Sequence, residues 1–219
     1  MYQKLEIKLV NIPPVNYILA ESGLNLPISL RKRLFDLIFS LMSILILLPF
    51  YLIISIITYI SSKGPVLYKQ ERIGINDKPF KIYKFRSMYL GAEKNGPELS
   101  KNNDPRVTPW GSFMRKYRID EFPQFFNVFF GSMSIVGPRP EREYWKYEIE
   151  KETLQYNKLS KVKPGITSLG QVKFGYAENV DEMQKRLRFD LLYLGNISLL
   201  LDIKIILMTV MVILQGEGK

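Results

Sequence analysis

The segment between Leu37 and Ile60 limits what this chain can fold into more than any other, because it is almost entirely apolar. It has about 24 residues. At about 1.5 Å of rise per residue, a helix of that length can reach across a bilayer. Pro49 lies in the middle, where proline removes a backbone hydrogen bond and kinks or breaks a helix. The sequence therefore predicts a membrane helix over residues 31–62 that is broken at Pro49.

Basic residues flank this segment on both sides, with Arg31, Lys32 and Arg33 before it and Lys63 after it. Positively charged flanks favour the cytoplasmic side of a membrane, so both ends are expected on the same face. A re-entrant helix, which enters one leaflet and returns, satisfies both the break and the flanks. An ordinary kinked transmembrane helix is the alternative. The segment is too long and too far from residue 1 to be a cleavable signal peptide.

The composition restricts the chemistry that the chain can perform. Its 219 residues include no cysteine and no histidine, which excludes thiolate nucleophiles, disulfides, histidine bases and the usual zinc ligands. Nucleophilic or acid–base work therefore falls to Asp, Glu, Lys, Tyr, Ser or Thr. The formal charge of +10 predicts an anionic partner, which nucleic acid, anionic lipid or a phosphorylated small molecule would satisfy. The apolar segment favours the membrane surface over nucleic acid.

Residues 1–30 form a loosely specified lead-in, and residues 63–219 form the remaining domain, in which several elements are predicted. The first are strands over Val66–Glu71 and Phe80–Phe85 around the turn Gly74–Asp77, a polar loop over 91–109, and a short basic helix over Gly111–Tyr117. The later ones are helices over Glu141–Leu159 and about Asp181–Leu194, with a loop at Lys163–Thr167 that enters a strand toward Val172.

The stretch Leu199–Leu214 is apolar but contains Asp202 and Lys204. These charges favour an amphipathic helix in the membrane interface, with a second transmembrane helix as the alternative.

The adjacent carboxylates Asp120 and Glu121 are the main candidate for chemistry. They are predicted to begin a helix that ends at Gly131, with an apolar face formed by Phe122, Phe125, Phe126 and Phe129. A helix N-terminus keeps a carboxylate ionised and offers free N–H groups to anions. Arg115, Arg118 and Arg139 surround the pair. Carboxylates for a metal and arginines for phosphate indicate phosphoryl transfer, although acidic residues also stabilise the first turn of many helices.

Eight motifs, taken together, resemble the bacterial sugar transferase family over about residues 31–212. They are, in order, Lys32–Asp36, Gly64–Val66 with Gln70–Gly74, Lys84–Met88, Asp104–Thr108, Asp120-Glu121, Pro138–Pro140, Lys163–Thr167, and Asp190 with Tyr193. The chain departs from the usual pattern at Leu48, at Ser168 and at residues 117–119. None of these departures touches the acidic pair.

This resemblance implies a small α-rich, non-Rossmann α/β domain on the cytoplasmic face of the inner membrane, with a re-entrant, proline-broken helix and interfacial amphipathic helices. It implies transfer of a sugar-1-phosphate from a UDP-sugar to undecaprenyl phosphate, the initiating step of a capsule, exopolysaccharide or lipopolysaccharide. Asp120 would be the nucleophile, UMP the leaving group and Mg²⁺ the cofactor, held near Asp120. The chain would be a short form of the family, without a long polytopic N-terminal region.

The resemblance and the residue types also assign supporting roles. Arg115 and Arg139 would bind phosphate, because a planar guanidinium matches phosphate oxygens. Lys84 would be a third cation, or else a solvated surface lysine. Glu121 would orient the metal or the acceptor. Asp190 would be a further acidic partner, or else an i,i+4 partner of Arg186.

Two other readings and several partners stay open. The chain could be a membrane-tethered module that binds nucleic acid or anionic lipid through charge, or a catalytically silent scaffold. The leading hypothesis expects contact with anionic membrane lipids, no nucleic acid, and a homo-oligomer or glycan-assembly partners as further options. We also expect Asp120 to be a surface carboxylate, so that Asp120→Asn abolishes turnover with little loss of folding.

Overall fold

A computed structural model describes residues 26–94, 96–100, 103–216 and 218, so most of the predicted lead-in lies outside the described residues. Its first element is helix α1 (Leu26–Ser61), which continues through Pro49, so the predicted break at this residue is not observed. Within the described part of the chain, it is the one helix long and apolar enough to cross a membrane. Only 11% of its most apolar stretch is buried, so α1 is not the core helix of a soluble domain. Whether it re-enters or spans stays a prediction.

Both ends of α1 dock on the rest of the chain. Near its start, Arg33 donates to the carbonyl oxygens of Val128 and Phe129 at 2.7 and 2.8 Å. Near its end, Thr58 accepts a hydrogen bond from Trp110 Nε1 at 3.1 Å. Between these contacts the helix carries many exposed apolar side chains. They include Leu41, Met42, Leu45, Ile46, Leu48, Phe50, Leu52 and Ile53.

The predicted hairpin is confirmed. Strands β1 (Leu67–Ile73) and β2 (Pro79–Phe85) pair antiparallel, with Leu67 opposite Phe85 and Ile73 opposite Pro79. A 3₁₀ turn at Ile75–Asp77 joins them, and Asn76 and Asp77 have positive φ there, which these residue types tolerate.

The predicted basic helix is also confirmed, as α2 (Pro109–Lys116), and Thr108 caps it by accepting from Gly111 N at 2.9 Å. A 3₁₀ turn at Ile119–Glu121 then precedes α3 (Gln124–Phe130). The helix thus ends at Gly131 in the left-handed conformation, as predicted, but begins after Pro123 rather than at Asp120. Its phenylalanine face packs on α1, with ring centroids 6.5 Å apart for Phe39–Phe125 and 5.7 Å for Tyr51–Phe126.

Two expectations for the following region are wrong in part. The predicted helix over 141–159 is divided into α4 (Glu143–Glu152) and a 3₁₀ helix (Leu154–Lys161), because Thr153 is extended and its side chain caps the second piece. The predicted strand toward Val172 ends early, as β4 (Gly165–Thr167), which pairs parallel with β3 (Ser134–Val136). Ser168 then caps helix α5 (Leu169–Lys173), accepting from Gln171 N at 3.0 Å.

Two helices complete the described chain, α6 (Val180–Leu194) and α7 (Leu199–Gln215), as predicted. Asp202 of α7 does not lie on an outward polar face. It is fully buried and binds Lys32 Nζ at 2.6 Å and the Tyr193 hydroxyl at 2.7 Å. The outward face is apolar instead, and it consists of Leu200, Ile203, Leu207, Val210, Met211 and Leu214, interrupted by Lys204. Small two-stranded sheets among helices fit the predicted α-rich, non-Rossmann class.

Candidate active site

A cavity of about 490 Å³ lies where the hairpin, the loop over 87–100, α2 and the segments around residues 139 and 176 meet. Its charged lining contains twice as many cations as carboxylates. The cations are Arg72, Lys84, Arg86, Lys94, Arg115, Arg139, Arg142 and Arg186, and the carboxylates are Glu93, Glu98, Asp120 and Glu141. A concave site with this excess of positive charge favours an anionic ligand.

Asp120 lines this cavity from the 3₁₀ turn, and only 6% of the residue is exposed. The expectation of a surface carboxylate is therefore wrong, because the turn between α2 and α3 is packed against β2. Within the described chain no hydrogen bond or ion pair engages the Asp120 carboxylate. Burial raises its pKa, and Glu121 adds to this, while Lys84, Arg115 and Arg118 oppose it. The result is a carboxylate with free oxygens that faces a cationic cavity.

Glu121, the adjacent residue, has the opposite environment. Its carboxylate lies 2.8 Å from Lys84 Nζ and 3.7 Å from a guanidinium nitrogen of Arg139. Burial acts to raise the pKa of Glu121, but attraction to Lys84 and Arg139 outweighs it and leaves the pKa well below its usual range. Glu121 therefore favours its ionised form and pairs with two cavity cations, and Lys84 is not a solvated surface lysine.

The two predicted phosphate-binding arginines also line the cavity. Arg115 donates to the Ser100 hydroxyl at 2.9 Å, which ties α2 to the loop on the other side. The backbone around Arg139 is stiffened by Pro138 and Pro140, and its guanidinium carbon lies 5.4 Å from the centre of the Tyr176 ring. Lys84, Arg115, Arg139 and Asp120 are thus brought together, as the sequence predicted.

Asp190 does not line this cavity, although its carboxylate lies within hydrogen-bonding reach of the backbone of Arg139, which does. It is buried on α6 and accepts a hydrogen bond from Gly170 N at 2.9 Å, so it holds α5 against α6. Burial raises its pKa to about 6 against the attraction of Arg186. No ion pair joins Asp190 to Arg186 among the residues that the structure covers; Arg186 pairs with Glu141 instead. The predicted role of Asp190 in substrate binding stays a prediction.

Sequence reasoning missed a second group of cavity residues. Glu141 bridges Arg186 and Arg72, with Arg72 Nη1 at 3.5 Å and Arg186 closer. Arg142 reaches Glu93 across the cavity at 2.6 Å. The only signal for these residues was position, because Arg72 belongs to a family motif and Glu141 directly follows Pro140. Tyr176 gave no signal at all.

The fit to Mg²⁺ depends on Asp120. In the described ranges no three Asp, Glu, His or Cys side chains cluster as metal ligands. Mg²⁺ is commonly held by one or two carboxylates together with substrate phosphates and water, rather than by a protein cage. The free oxygens of Asp120 meet that requirement, whereas Glu121 is already occupied by cations.

A buried carboxylate with free oxygens therefore lies in a cationic cavity, in a chain that also carries a helix suited to a membrane. The family model "Bacterial sugar transferase" matches residues 28–216. The chain therefore belongs to the bacterial sugar transferase family, as the motifs indicated.

Three relatives illustrate the range of the family. The UDP-N-acetylgalactosamine-undecaprenyl-phosphate N-acetylgalactosaminephosphotransferase of Aeromonas hydrophila is 39% identical over 85% of this chain and 44% of its own length. The UDP-glucose:undecaprenyl-phosphate glucose-1-phosphate transferase of Klebsiella pneumoniae is 42% identical over 82% of this chain and 39% of its own length. The exopolysaccharide production protein PSS of Rhizobium leguminosarum bv. phaseoli is 38% identical over 85% of this chain and 97% of its own length. The chain thus spans about two-fifths of the first two relatives and nearly all of the third.

Proposed function

We propose that this protein transfers a sugar-1-phosphate from a UDP-sugar to undecaprenyl phosphate and releases UMP. The observation that carries the proposal is the contrast within the acidic pair: Asp120 has free oxygens in the cationic cavity, whereas Glu121 is held by Lys84 and Arg139. A nucleophile needs a free lone pair and a target whose negative charge is masked, and of the two carboxylates only that of Asp120 forms no ion pair within the described chain. The names of the relatives support the same donor and acceptor classes.

In the first step an Asp120 oxygen attacks the phosphorus atom that bears the sugar. The bond from that phosphorus to the bridging oxygen breaks, UMP leaves with the electron pair, and a sugar-phosphoryl-aspartate forms. Attack by an anion on an anion requires charge masking, which the guanidinium groups of Arg115 and Arg139 and the Lys84 ammonium supply. Mg²⁺, held by Asp120 and the diphosphate, would add to that neutralisation.

In the second step a phosphate oxygen of undecaprenyl phosphate attacks the same phosphorus atom. The bond to Asp120 breaks, the carboxylate is regenerated, and the product is a sugar linked to the lipid through a diphosphate. Glu121 keeps Lys84 and Arg139 in place through both steps, since its Oε1 atom lies beside both cations.

The docking of α1 supports an acceptor that is drawn from the membrane. Contacts at Arg33 and at Thr58 fix both ends of α1 to one domain, and the exposed apolar middle points away from it. We place the domain on the cytoplasmic face of the inner membrane, with α1 re-entering the bilayer and the apolar face of α7 in the interface. A lipid phosphate that is confined to that interface loses less translational and rotational entropy when it binds in the cavity.

The test is UMP release from a panel of UDP-sugars by the full chain in detergent, with Mg²⁺ and undecaprenyl phosphate. Wild-type protein should release UMP from a preferred sugar, and Asp120→Asn should lose more than about 99% of that rate, since it cannot form the acyl phosphate. Without undecaprenyl phosphate, the wild type should accumulate an adduct with the mass of a sugar phosphate. Retention of more than a few per cent of activity by Asp120→Asn would refute the nucleophile assignment. Nucleotide-sugar binding without any release would indicate a silent scaffold.

A further inference from the structure

Arg118 is a buried cation that the proposed mechanism leaves unused. Only 5% of the residue is exposed, and its Nε and Nη1 atoms have no hydrogen-bond partner in the described part of the chain. Guanidinium donors are rarely left unsatisfied when buried, because the cost of removing a charged group from water is large. An unsatisfied pair of donors in this position indicates a ligand that the protein alone does not supply.

The backbone at Arg118 is consistent with a functional constraint. Its φ of 53° is left-handed, a conformation that non-glycine residues seldom adopt. Such strain persists where the surrounding structure imposes it and is concentrated at functional sites. Here the left-handed residue directly precedes the 3₁₀ turn that carries Asp120, so the position of the Arg118 side chain is coupled to the position of the carboxylate.

Arg118 is connected to the cavity through the side chain of Tyr176. Its guanidinium carbon lies 5.7 Å from the centre of the Tyr176 ring, and that of Arg139, which lines the cavity, lies 5.4 Å from the same ring. Tyr176 itself lines the cavity, so the Arg118 guanidinium contacts a ring that faces the cavity. Gly175, the preceding residue, has a φ of 90° and open space around it, which permits movement of the Tyr176 backbone.

We propose that Arg118 is a further oxyanion-binding residue of this cavity, which takes a phosphate oxygen of a phosphorylated substrate when the Tyr176 ring moves off it. The unsatisfied Nε and Nη1 atoms lie on different edges of the guanidinium, so each can donate a charge-assisted hydrogen bond to a separate oxygen of a phosphate or diphosphate. The charge of Arg118 already acts on this site, where it opposes the effect of burial on the pKa of Asp120. The diphosphate of a nucleotide sugar and the phosphate of a polyprenyl lipid share this chemistry.

The test begins with inorganic pyrophosphate, so that it does not depend on turnover. Arg118→Asn removes the guanidinium but keeps a residue type that tolerates left-handed φ. Its affinity for pyrophosphate, measured by calorimetry on the full chain in detergent, should fall roughly 10- to 100-fold, the loss expected for charge-assisted hydrogen bonds. Arg188→Asn is the matched control, because it removes the same charge from an exposed position on α6 and should change the affinity less than about 2-fold. Equal affinities in all three proteins would overturn the proposal.

Arg118→Lys keeps the charge and provides the test if Arg118→Asn does not fold. A lysine has a single donor nitrogen in place of the two separated donors Nε and Nη1, so pyrophosphate should bind several-fold more weakly than to the wild type. Loss of stability with unchanged pyrophosphate affinity would assign Arg118 a structural role and contradict the proposal.

Steady-state kinetics identify the source of the phosphate, and this part rests on the proposed function. In a two-step transfer, a fall in kcat/KM for the UDP-sugar alone assigns Arg118 to the donor, and a fall for undecaprenyl phosphate alone assigns it to the acceptor. A fall in both assigns it to the transferred group. If neither changes, Arg118 is not a substrate-binding residue. If the wild type releases no UMP but its pyrophosphate affinity depends on Arg118, the proposed function fails and the anion site stands.

Discussion

The Lys84 ammonium lies 2.8 Å from Glu121 Oε1, so it forms an ion pair with Glu121 rather than with the adjacent Asp120. Both side chains are largely buried, with 15% and 5% exposed. Removing one partner from a buried pair leaves the other charge uncompensated, although Arg139 still attracts Glu121 here. The Lys84–Glu121 pair therefore stabilises the 3₁₀ turn that carries Asp120 and also holds a positive charge in the cavity.

Lys84→Met should lower the free energy of unfolding by about 1–3 kcal/mol, because the buried Glu121 carboxylate loses its closest donor. Lys81→Met is the matched control, since Lys81 is exposed on the same strand and its replacement should cost less than about 0.5 kcal/mol. Chemical denaturation in detergent measures both. A double-mutant cycle with Glu121→Gln should give a coupling energy of about 1 kcal/mol or more. A coupling energy near zero would show that the pair does not form in solution.

Asp120→Asn should leave stability at neutral pH unchanged or higher. The folded-state pKa of Asp120 is raised by burial, so the ionised form is less favourable in the folded protein than in the unfolded chain. Stability that depends on this group falls as the pH rises through its pKa, and the neutral amide removes that fall. Thermal unfolding in detergent from pH 4 to pH 8 should therefore show that the stability of the variant, relative to that of the wild type, increases with pH. A variant that is less stable by more than about 1 kcal/mol would mean that the carboxylate is paired.

Asp190 has a pKa of about 6 in the folded protein and about 3.9 in an unfolded chain. A raised carboxyl pKa means that stability falls between pH 4 and pH 6, by about 3 kcal/mol in total. Asp190→Asn keeps an oxygen that can accept from Gly170 N and cannot ionise. The difference in stability between variant and wild type should grow over this pH range and then level off.

The control for this variant is Asp181→Asn, which makes the same substitution at an exposed position on the same helix. A flat difference curve for Asp190→Asn would contradict the raised pKa. Because Asp190 lies outside the cavity, kcat/KM for the donor should change little at pH 7 in folded protein.

The elements that the sequence predicts well are those determined by local chemistry. The hairpin follows from Gly74–Asp77 between two strand-forming runs, and the end of α3 follows from Gly131. The early end of β4 depends on a local signal as well, but Ser168 becomes a helix cap only because α5 packs against α6 there. The sequence therefore contained the capping residue, Ser168, but not the packing of α5 on α6 that makes it a cap.

The partners of the site residues could not be predicted, because they come from distant segments. Lys84 and Glu121 are 37 residues apart, and Arg186 and Glu141 are 45 apart. A motif places Asp190 in the family pattern but does not say which face of α6 is turned to the cavity. The burial of Asp120 was missed for a related reason, since a polar pair at the start of a helix is usually exposed.

The orientation of α1 is open to a direct test, because the chain has no cysteine that would add background labelling. Arg31 and Lys63 are both exposed at the two ends of the apolar segment. Arg31→Cys and Lys63→Cys should react with a membrane-impermeant maleimide from the same side of inverted membrane vesicles, as expected for a re-entrant helix docked at both ends. Phe50→Cys, in the exposed middle, should react much more slowly, because the bilayer shields it. Labelling of positions 31 and 63 from opposite faces would establish a spanning helix, and it would require the docking contacts of Arg33 or Thr58 to break in the membrane.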